Sequence, residues 1–125
     1  ASEVVKLMLK KGIQVLGSNV IILGFTFKEN CPDVRNTRVI DIIKALTGYN
    51  IGITIYDPWA SPEIAKREYD VEVVNELPQD KFDAAVLAVA HDKFKEFDID
   101  SILEEQSVLY DVKGFYRKEK VDGRL

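Results

Sequence analysis

The chain has 125 residues, of which 46% are hydrophobic and 30% charged, so it holds enough apolar material for one domain with a core. Its formal net charge of -4 argues against nonspecific electrostatic binding to nucleic acid or anionic lipid. No apolar run approaches the roughly 20 residues of a membrane span, and no signal peptide pattern opens the sequence. We therefore expect a cytoplasmic protein with no nucleic-acid and no membrane partner. The one cysteine, Cys31, excludes an internal disulfide.

The first segment has the apolar spacing of a helix, from Ser2 to about Leu16. The residues that share its predicted apolar face are Val5, Met8, Leu9, Gly12 and Leu16. The sequence opens abruptly with Ala1, although removal of an initiator Met would also leave Ala first. We expect residues 1–18 to be the end of an inter-domain helix from a longer chain, and residues 19–125 to be the domain itself.

The next hundred residues alternate strand and helix patterns. The predicted strands are Asn19–Gly24, Gly52–Tyr56, Val71–Val74, Asp83–Ala90 and Ser107–Tyr110, the last ending at Asp111. The predicted helices are Thr37–Leu46 with Asn36 as N-cap, Ser61–Tyr69 with Ser61 as N-cap, and Asp98–Glu105. The tail from Phe115 is polar and is expected to be peripheral. This alternation predicts an α/β fold with a doubly wound, mostly parallel sheet.

Ligands of such sheets bind beyond the carboxyl ends of the strands. The turn after the first predicted strand contains no G-x-G-x-x-G pattern, and no P-loop pattern occurs anywhere. The fold is therefore expected to be Rossmann-like without the glycine loop that would let it hold NAD by itself.

Asp57 ends the second predicted strand, where a ribose-binding acid would stand. It lies 33 residues after Gly24, against the usual ~20, and Pro58 follows it. A structural role in the turn is the interpretation we favour.

The loop from Phe25 to Asn36 carries Lys28 and Arg35 ahead of a predicted helix N-terminus. Such cations can attract phosphate together with the positive end of the helix. Arg35 could also bind an anion through two parallel hydrogen bonds. The alternative is that both are solvated charges balanced by Glu29 and Asp33.

The same loop, Gly24-Phe-Thr-Phe-Lys-Glu-Asn-Cys-Pro-Asp-Val-Arg-Asn-Thr37, resembles that of the UDP-glucose/GDP-mannose dehydrogenase family. Three shorter matches follow in order: Tyr56-Asp57-Pro58, Ala88-Val-Ala-His-Asp-Lys-Phe94 and Asp111-Val-Lys-Gly114. The similarity runs from about Val20 to Gly114 and points to the family's C-terminal, UDP-binding domain.

The resemblance implies an enzyme that oxidises the C6 hydroxymethyl of a UDP-sugar to a carboxylate while reducing two NAD+. NAD would be bound mainly by an N-terminal domain, and a central domain would supply the nucleophilic cysteine. The partners implied are a UDP-sugar, the remaining domains and further copies of the chain in a homo-oligomer. The fragment alone is expected to be inactive.

The resemblance also implies residue roles. Phe27 and Lys28 match the family's pair at the UDP-sugar, and Arg35 matches an arginine that reaches NAD. Without the family match, a core position would be the better interpretation of Phe27. Lys113 stands near the place of a substrate-binding arginine in the family's Asp-Gly-Arg-Arg motif, although a lysine cannot reproduce the fork of an arginine.

The Asn30-Cys31-Pro32-Asp33 and Asp-Val-Lys-Gly variants are similar to members that oxidise UDP-N-acetylhexosamines for capsule or O-antigen polysaccharides. Cys31 lies inside the loop motif, so we interpret it as incidental and not as the nucleophile. His91, the only histidine, is expected to have a surface or structural role. Trp59 is expected to serve packing or a domain contact. No Cys/His cluster suggests a metal site.

Two other hypotheses remain open. One is a free-standing nucleotide-binding or interaction module. The other, which has less support, is a flavodoxin-like or response-regulator-like domain. A response regulator needs clustered acidic residues after its first strand, whereas the first strand here is followed by Phe25-Thr-Phe-Lys28.

Overall fold

The computed structural model describes residues 2–35 and 37–124. In chain order its helices are α1 (Ser2–Lys10), α2 (Val39–Thr47) and α3 (Pro62–Tyr69). Its strands are β1 (Asn19–Leu23), β2 (Gly52–Tyr56), β3 (Val73–Val74), β4 (Phe82–Leu87), β5 (Leu103–Asp111) and β6 (Gly123–Arg124). Short 3₁₀ turns cover Asp92–Lys95, Ile99–Ile102 and Lys118–Lys120. Among the described residues, no helix is both long and apolar enough to cross a bilayer.

The six strands form one parallel sheet in the order β3-β2-β1-β4-β5-β6. The chain starts in the middle with β1, extends to one side through β2 and β3, and then returns to build the other side from β4. The carboxyl ends of β1 and β4 therefore border the point where the winding reverses. The predicted doubly wound α/β sheet is confirmed.

Both faces of the sheet are covered, as β1 shows. Its side chains alternate between two apolar clusters, with Val20 and Ile22 in one and Ile21 and Leu23 in the other. All four are fully buried. This explains why the strand is an unbroken apolar run with no polar alternation.

Both ends of helix α3 carry residues that favour a helix boundary. The Ser61 side chain accepts a hydrogen bond from the Ile64 N–H at 3.3 Å, and Pro62 begins the helix, where its missing N–H has no consequence. Asp70 ends the helix in the left-handed conformation, at φ 56°. The predicted bounds and N-cap are confirmed.

The helix α2 begins at Val39, two residues later than predicted. The Thr37 hydroxyl accepts a hydrogen bond from the Val39 N–H at 3.2 Å. The predicted N-cap, Asn36, lies outside the described residues. Val39, Ile43 and Leu46 are buried, which confirms the predicted apolar face.

The prediction of one helix from Ser2 to Leu16 is wrong in its second half. The helix α1 ends at Lys10, and the chain turns at Gly12, whose φ is +74°. Val5 and Met8 are buried as expected, but Leu9 and Leu16 are 63% and 61% exposed. A left-handed glycine interrupts the spacing that the apolar residues alone suggested.

The C-terminal third also differs from the prediction. In place of a helix over Asp98–Glu105 there is only the single 3₁₀ turn, because β5 begins at Leu103 and pairs with β4 there. The tail is not peripheral, since β6 adds a parallel strand to β5. Its apolar residues Phe115, Tyr116 and Val121 pack against the second core cluster.

Candidate functional site

The turns after β1 and β4 approach so closely that only glycine fits between them. Gly24 has φ +99°, and a Cβ atom there would lie 2.6 Å from the Val89 Cβ. The Leu23 carbonyl accepts hydrogen bonds from the N–H groups of Ala88 and Val89, which holds the two strand exits together. The loop after β1 therefore starts directly beside the loop after β4.

Asp57, at the end of β2, binds the first part of that loop. Its buried carboxylate accepts five hydrogen bonds. One oxygen, Oδ2, receives the Phe25 and Thr26 N–H groups at 2.6 and 3.0 Å, together with His91 Nε2 at 2.9 Å. The other, Oδ1, receives the N–H groups of Trp59 and Ala60. Both oxygens are thus used internally, which supports the structural interpretation over ribose binding.

The electrostatics of Asp57 follow from these contacts. Burial by itself raises the pKa of this carboxyl. The hydrogen bonds from His91 and from the amides of Phe25 and Trp59 outweigh that effect, so the pKa lies below its usual value. Asp57 is therefore a buried carboxylate that stays charged because five donors face it.

His91, after β4, is fully buried and joins three segments. Its Nδ1 lies 2.8 Å from the backbone nitrogen of Asn30, which can only donate, so Nδ1 must accept. The neutral ring then carries its proton on Nε2, which faces Asp57 at 2.9 Å and the Thr26 hydroxyl at 3.0 Å. A structural role for His91 is supported, and the surface position that the sequence also allowed is wrong.

Two further side chains, for which the sequence analysis predicted no role, fix the loop by hydrogen bonds. Thr26 donates its hydroxyl hydrogen to the Lys28 carbonyl at 2.9 Å. Asn30, at φ 56°, accepts from the Asp92 N–H and donates to the Asp92 carboxylate through its side chain. The preference of asparagine for left-handed turns is the one sequence signal that could have drawn attention to Asn30.

Phe27 and Lys28 project from this anchored backbone. The Phe27 N–H donates to the Asp33 carbonyl at 2.7 Å, while the Phe27 side chain is 54% exposed. The core position considered for Phe27 is therefore wrong. Lys28 is exposed, and its ammonium group has no carboxylate within 4.0 Å among residues 2–35 and 37–124. The site so presents an aromatic ring and a cation to solvent.

Arg35 lies apart from this pair and is engaged with Asp33. Its Nε and Nη2 donate to the two carboxylate oxygens, each at 3.0 Å. These bonds lower the pKa of Asp33 and raise that of Arg35. The arginine borders a groove of about 570 Å³ between the loop and α3, which Ile64, Arg67 and Tyr69 also line.

Lys113 follows β5 on the same edge of the sheet as Lys28. The buried carboxylate of Asp111 shapes its turn by accepting from the Lys113 and Tyr116 N–H groups at 2.9 and 2.8 Å. The Lys113 side chain is exposed. Only β4 separates β1 from β5, so the two turns start roughly 10 Å apart.

Trp59 borders a second groove, of about 470 Å³, together with Asn30, Pro58 and Lys93. Its ring is 46% exposed and is not part of the core in this chain. Cys31, within the loop after β1, is partly buried and unpaired.

The residues present do not fit NAD by themselves. In a dinucleotide-binding turn, free backbone N–H groups face the pyrophosphate. Here the Phe25 and Thr26 amides donate to Asp57 instead, and the glycine pattern is absent. Within the described part of the chain, no group of three or more His, Cys, Asp or Glu residues could hold a metal ion.

Comparison with known proteins gives consistent results. Residues 21–118 match the UDP-glucose/GDP-mannose dehydrogenase family, UDP binding domain. The UDP-N-acetyl-D-glucosamine 6-dehydrogenase of Salmonella typhi is 46% identical over 100% of this chain, and that of Pseudomonas aeruginosa is 44% identical over 99%. The chain spans 30% of the length of each of these relatives.

Solved structures show the same fold. An NDP-N-acetyl-D-galactosaminuronic acid dehydrogenase from Methanosarcina mazei Go1 superposes with a TM-score of 0.81 at 20% identity, covering 95% of this chain and 27% of the other. A UDP-glucose dehydrogenase from Pyrobaculum islandicum gives 0.69 at 26% identity, covering 97% and 27%. The chain therefore belongs to the UDP-glucose/GDP-mannose dehydrogenase family and corresponds to its UDP-binding domain.

Proposed function

We propose that the turn bearing Phe27 and Lys28 binds the UDP part of a UDP-sugar. The observation that carries this proposal is the contrast within the turn. Its backbone is fixed by partly buried hydrogen bonds, while the Phe27 and Lys28 side chains are exposed to solvent. A cation on an anchored backbone, beside an aromatic ring, suits a diphosphate joined to a base or a sugar.

Lys113 is the second cation of the proposed site. It lies on the same carboxyl edge as Lys28, about two strand spacings away, which is a span that a diphosphate with its attached groups can bridge. As a lysine it supplies a point charge without the fork of an arginine, so we expect it to add less to affinity than an arginine would at the same position.

We further propose that the complete protein is an NAD-dependent UDP-sugar 6-dehydrogenase that oxidises the C6 hydroxymethyl to a carboxylate. Relatives at 46% and 44% identity carry the name UDP-N-acetyl-D-glucosamine 6-dehydrogenase, which favours a UDP-N-acetylhexosamine substrate. We expect its product to be used for a polysaccharide. Binding the nucleotide end firmly would help to place the distant C6 for reaction. The chain alone would be inactive, since neither the catalytic cysteine nor an NAD loop is within it.

In this proposal residues 1–18 connect to another domain and residues 19–125 form the UDP-binding domain. NAD is held mainly by another domain, and Arg35 reaches it after exchanging its Asp33 partner for the cofactor. The complete enzyme is a homo-oligomer in the cytoplasm, where a lone thiol such as Cys31 stays reduced.

The proposal is tested by titrating the 125-residue chain with UDP, UDP-glucose and UDP-N-acetylglucosamine while following backbone amides by NMR. We expect UDP to shift the amides of residues 25–35 and 111–114. Lys28→Ala should weaken binding about tenfold or more, because a charge-assisted contact is lost. Lys44→Ala is the matched control, since it removes the same charge from the exposed side of α2.

Equal affinities of the two lysine variants, or no amide shift at millimolar UDP, would contradict the proposal. Shifts confined to another surface would instead favour a nucleotide-binding module of a different kind. Full dehydrogenase turnover by the chain alone would refute the division of roles between domains.

A further inference from the structure

His91 links the buried interior to the exposed turn by a chain of hydrogen bonds whose directions are all determined. The Asn30 N–H donates to Nδ1, the Nε2–H faces Asp57 and Thr26, and the Thr26 hydroxyl donates to the Lys28 carbonyl. Lys28 therefore lies between two anchored residues, Thr26 and Asn30, and both contact the same imidazole.

The imidazole is one of five hydrogen-bond donors to the buried Asp57 carboxylate. Four backbone N–H groups, those of Phe25, Thr26, Trp59 and Ala60, already face that carboxylate. What His91 adds is an acceptor for the Asn30 N–H, on the far side of Lys28. In this network that contact is made by Nδ1 alone.

Asn30 is the position where this anchor has most effect. Its φ of 56° is a left-handed conformation that asparagine adopts more readily than most residues, and the hydrogen bond from its N–H to Nδ1 fixes the turn in that conformation. The Asn30 side chain also exchanges two hydrogen bonds with Asp92, directly after His91. The backbone of the Lys28 turn is thereby fixed to the β4 exit.

We propose that His91 is a positioning residue for UDP binding, acting through Nδ1 and Asn30 to hold Lys28 in its binding position. This inference rests on the proposed function of Lys28. Fixing the turn in advance means that a diphosphate has only the lysine side chain to order, and the affinity rises accordingly. His91 itself makes no contact with the ligand, because it is fully buried.

Two near-isosteric variants separate the two ring nitrogens. In His91→Asn the amide oxygen can take the place of Nδ1 and accept from Asn30, whereas the Nε2 donor is lost. In His91→Gln the amide nitrogen can take the place of Nε2 and donate to Asp57, whereas the Nδ1 acceptor is lost. We expect UDP affinity within about twofold of the parent for His91→Asn and a loss of about five- to tenfold for His91→Gln.

A double-mutant cycle with Lys28→Ala then distinguishes positioning from general structural support. If His91 acts through Lys28, adding His91→Gln to Lys28→Ala weakens UDP binding by no more than about a further twofold. Additive losses would overturn the proposal, as would a loss in His91→Asn equal to that in His91→Gln.

Thermal melting of every variant shows that it is folded during the titration. Ile43→Val, which trims the core beneath α2, is the control for destabilisation alone, and it should leave UDP affinity unchanged. If Lys28→Ala itself binds UDP like the parent chain, the proposed function fails. If Lys28→Ala is weakened and the cycle is additive, only the role of His91 fails.

Discussion

His91 Nε2 lies 2.9 Å from Asp57 Oδ2, and neither side chain is exposed to solvent. Asp57 follows β2 and His91 follows β4, so this contact crosses the end of β1, which lies between those two strands in the sheet. The same carboxylate oxygen also binds the first two amides beyond Gly24. One buried charge thus joins three adjacent strand ends at the point where the winding of the sheet reverses.

Replacing Asp57 should change both the stability and its pH dependence. Asp57→Asn places an amide NH2 group against N–H donors, and we expect the free energy of unfolding at pH 7 to fall by about 3 kcal/mol. The pKa of Asp57 is below its usual 3.8 in the folded state. The stabilisation of the folded state by the Asp57 carboxylate is therefore complete above about pH 4 and is lost as the pH falls below that value.

Urea denaturation at several pH values between about 3 and 7 tests this expectation. The difference in unfolding free energy between parent and variant should shrink toward the acid end. Asp33→Asn is the control, because among the described residues that carboxylate pairs with the exposed Arg35, and its loss should leave the stability almost unchanged. A difference that stays constant with pH would show that the Asp57 charge is not responsible.

Gly24→Ala should be among the most damaging single substitutions in the chain. It combines a left-handed backbone at φ +99° with a Cβ atom 2.6 Å from that of Val89. We expect a loss of about 3 kcal/mol or more. Gly17→Ala shares a positive φ of +79° but meets nothing within 4 Å, so backbone strain alone should cost it about 1 kcal/mol. Equal midpoints in urea for the two variants would refute the close approach.

Two substitutions of Asp70 should change the free energy of unfolding in opposite directions. It ends α3 at φ 56°, where glycine carries no Cβ penalty. Asp70→Gly should raise the unfolding free energy by a few tenths to about 1 kcal/mol, although it removes the exposed ion pair with Lys66. Asp70→Ala loses the same pair and keeps the strain, so it should lower stability by about 0.5 kcal/mol. Thermal melts of the two variants that shift in the same direction would contradict this.

Asp122 tests whether the C-terminal segment belongs to the fold. Its carboxylate accepts from the Leu109 N–H at 2.8 Å and pairs with Lys11 at 2.6 Å. Asp122→Ala leaves a buried strand amide without its partner, and we expect a loss of about 1–2 kcal/mol. Asp80→Ala, in an exposed turn, is the control and should have almost no effect. If the chemical denaturation curves of both variants coincide with the parent's, β6 is not held as described.

Much of the fold could be predicted because the signals are local. The unbroken apolar run of β1, the i, i+3, i+4, i+7 spacing of α2, and the Ser61-Pro62 start of α3 each act within one element. Their alternation is enough to require parallel crossovers. The family loop could likewise be found from the sequence, because its residues are consecutive.

Where the prediction was wrong, a distant part of the chain decided the outcome. Leu103–Gln106 extend β5 because β4 and the segment containing Lys11 lie beside them, and Gly123–Arg124 become a strand because β5 offers an edge. Such pairings join residues far apart in sequence and leave no periodic pattern of their own. The polar tail thus contributes to the sheet, although its composition suggested a peripheral segment.

By itself, the sequence determined the alternation of strands and helices, the missing glycine loop and the position of Lys28 after the first strand. Only the tertiary structure decided that the buried Asp57 and His91 and the exposed Asn30 form one hydrogen-bond network that holds the turn of that lysine. These three residues belong to three separate loops, and their distances depend on the order of the strands. The hydrogen-bond directions that fix the turn arise only when all three loops meet at the same edge of the sheet.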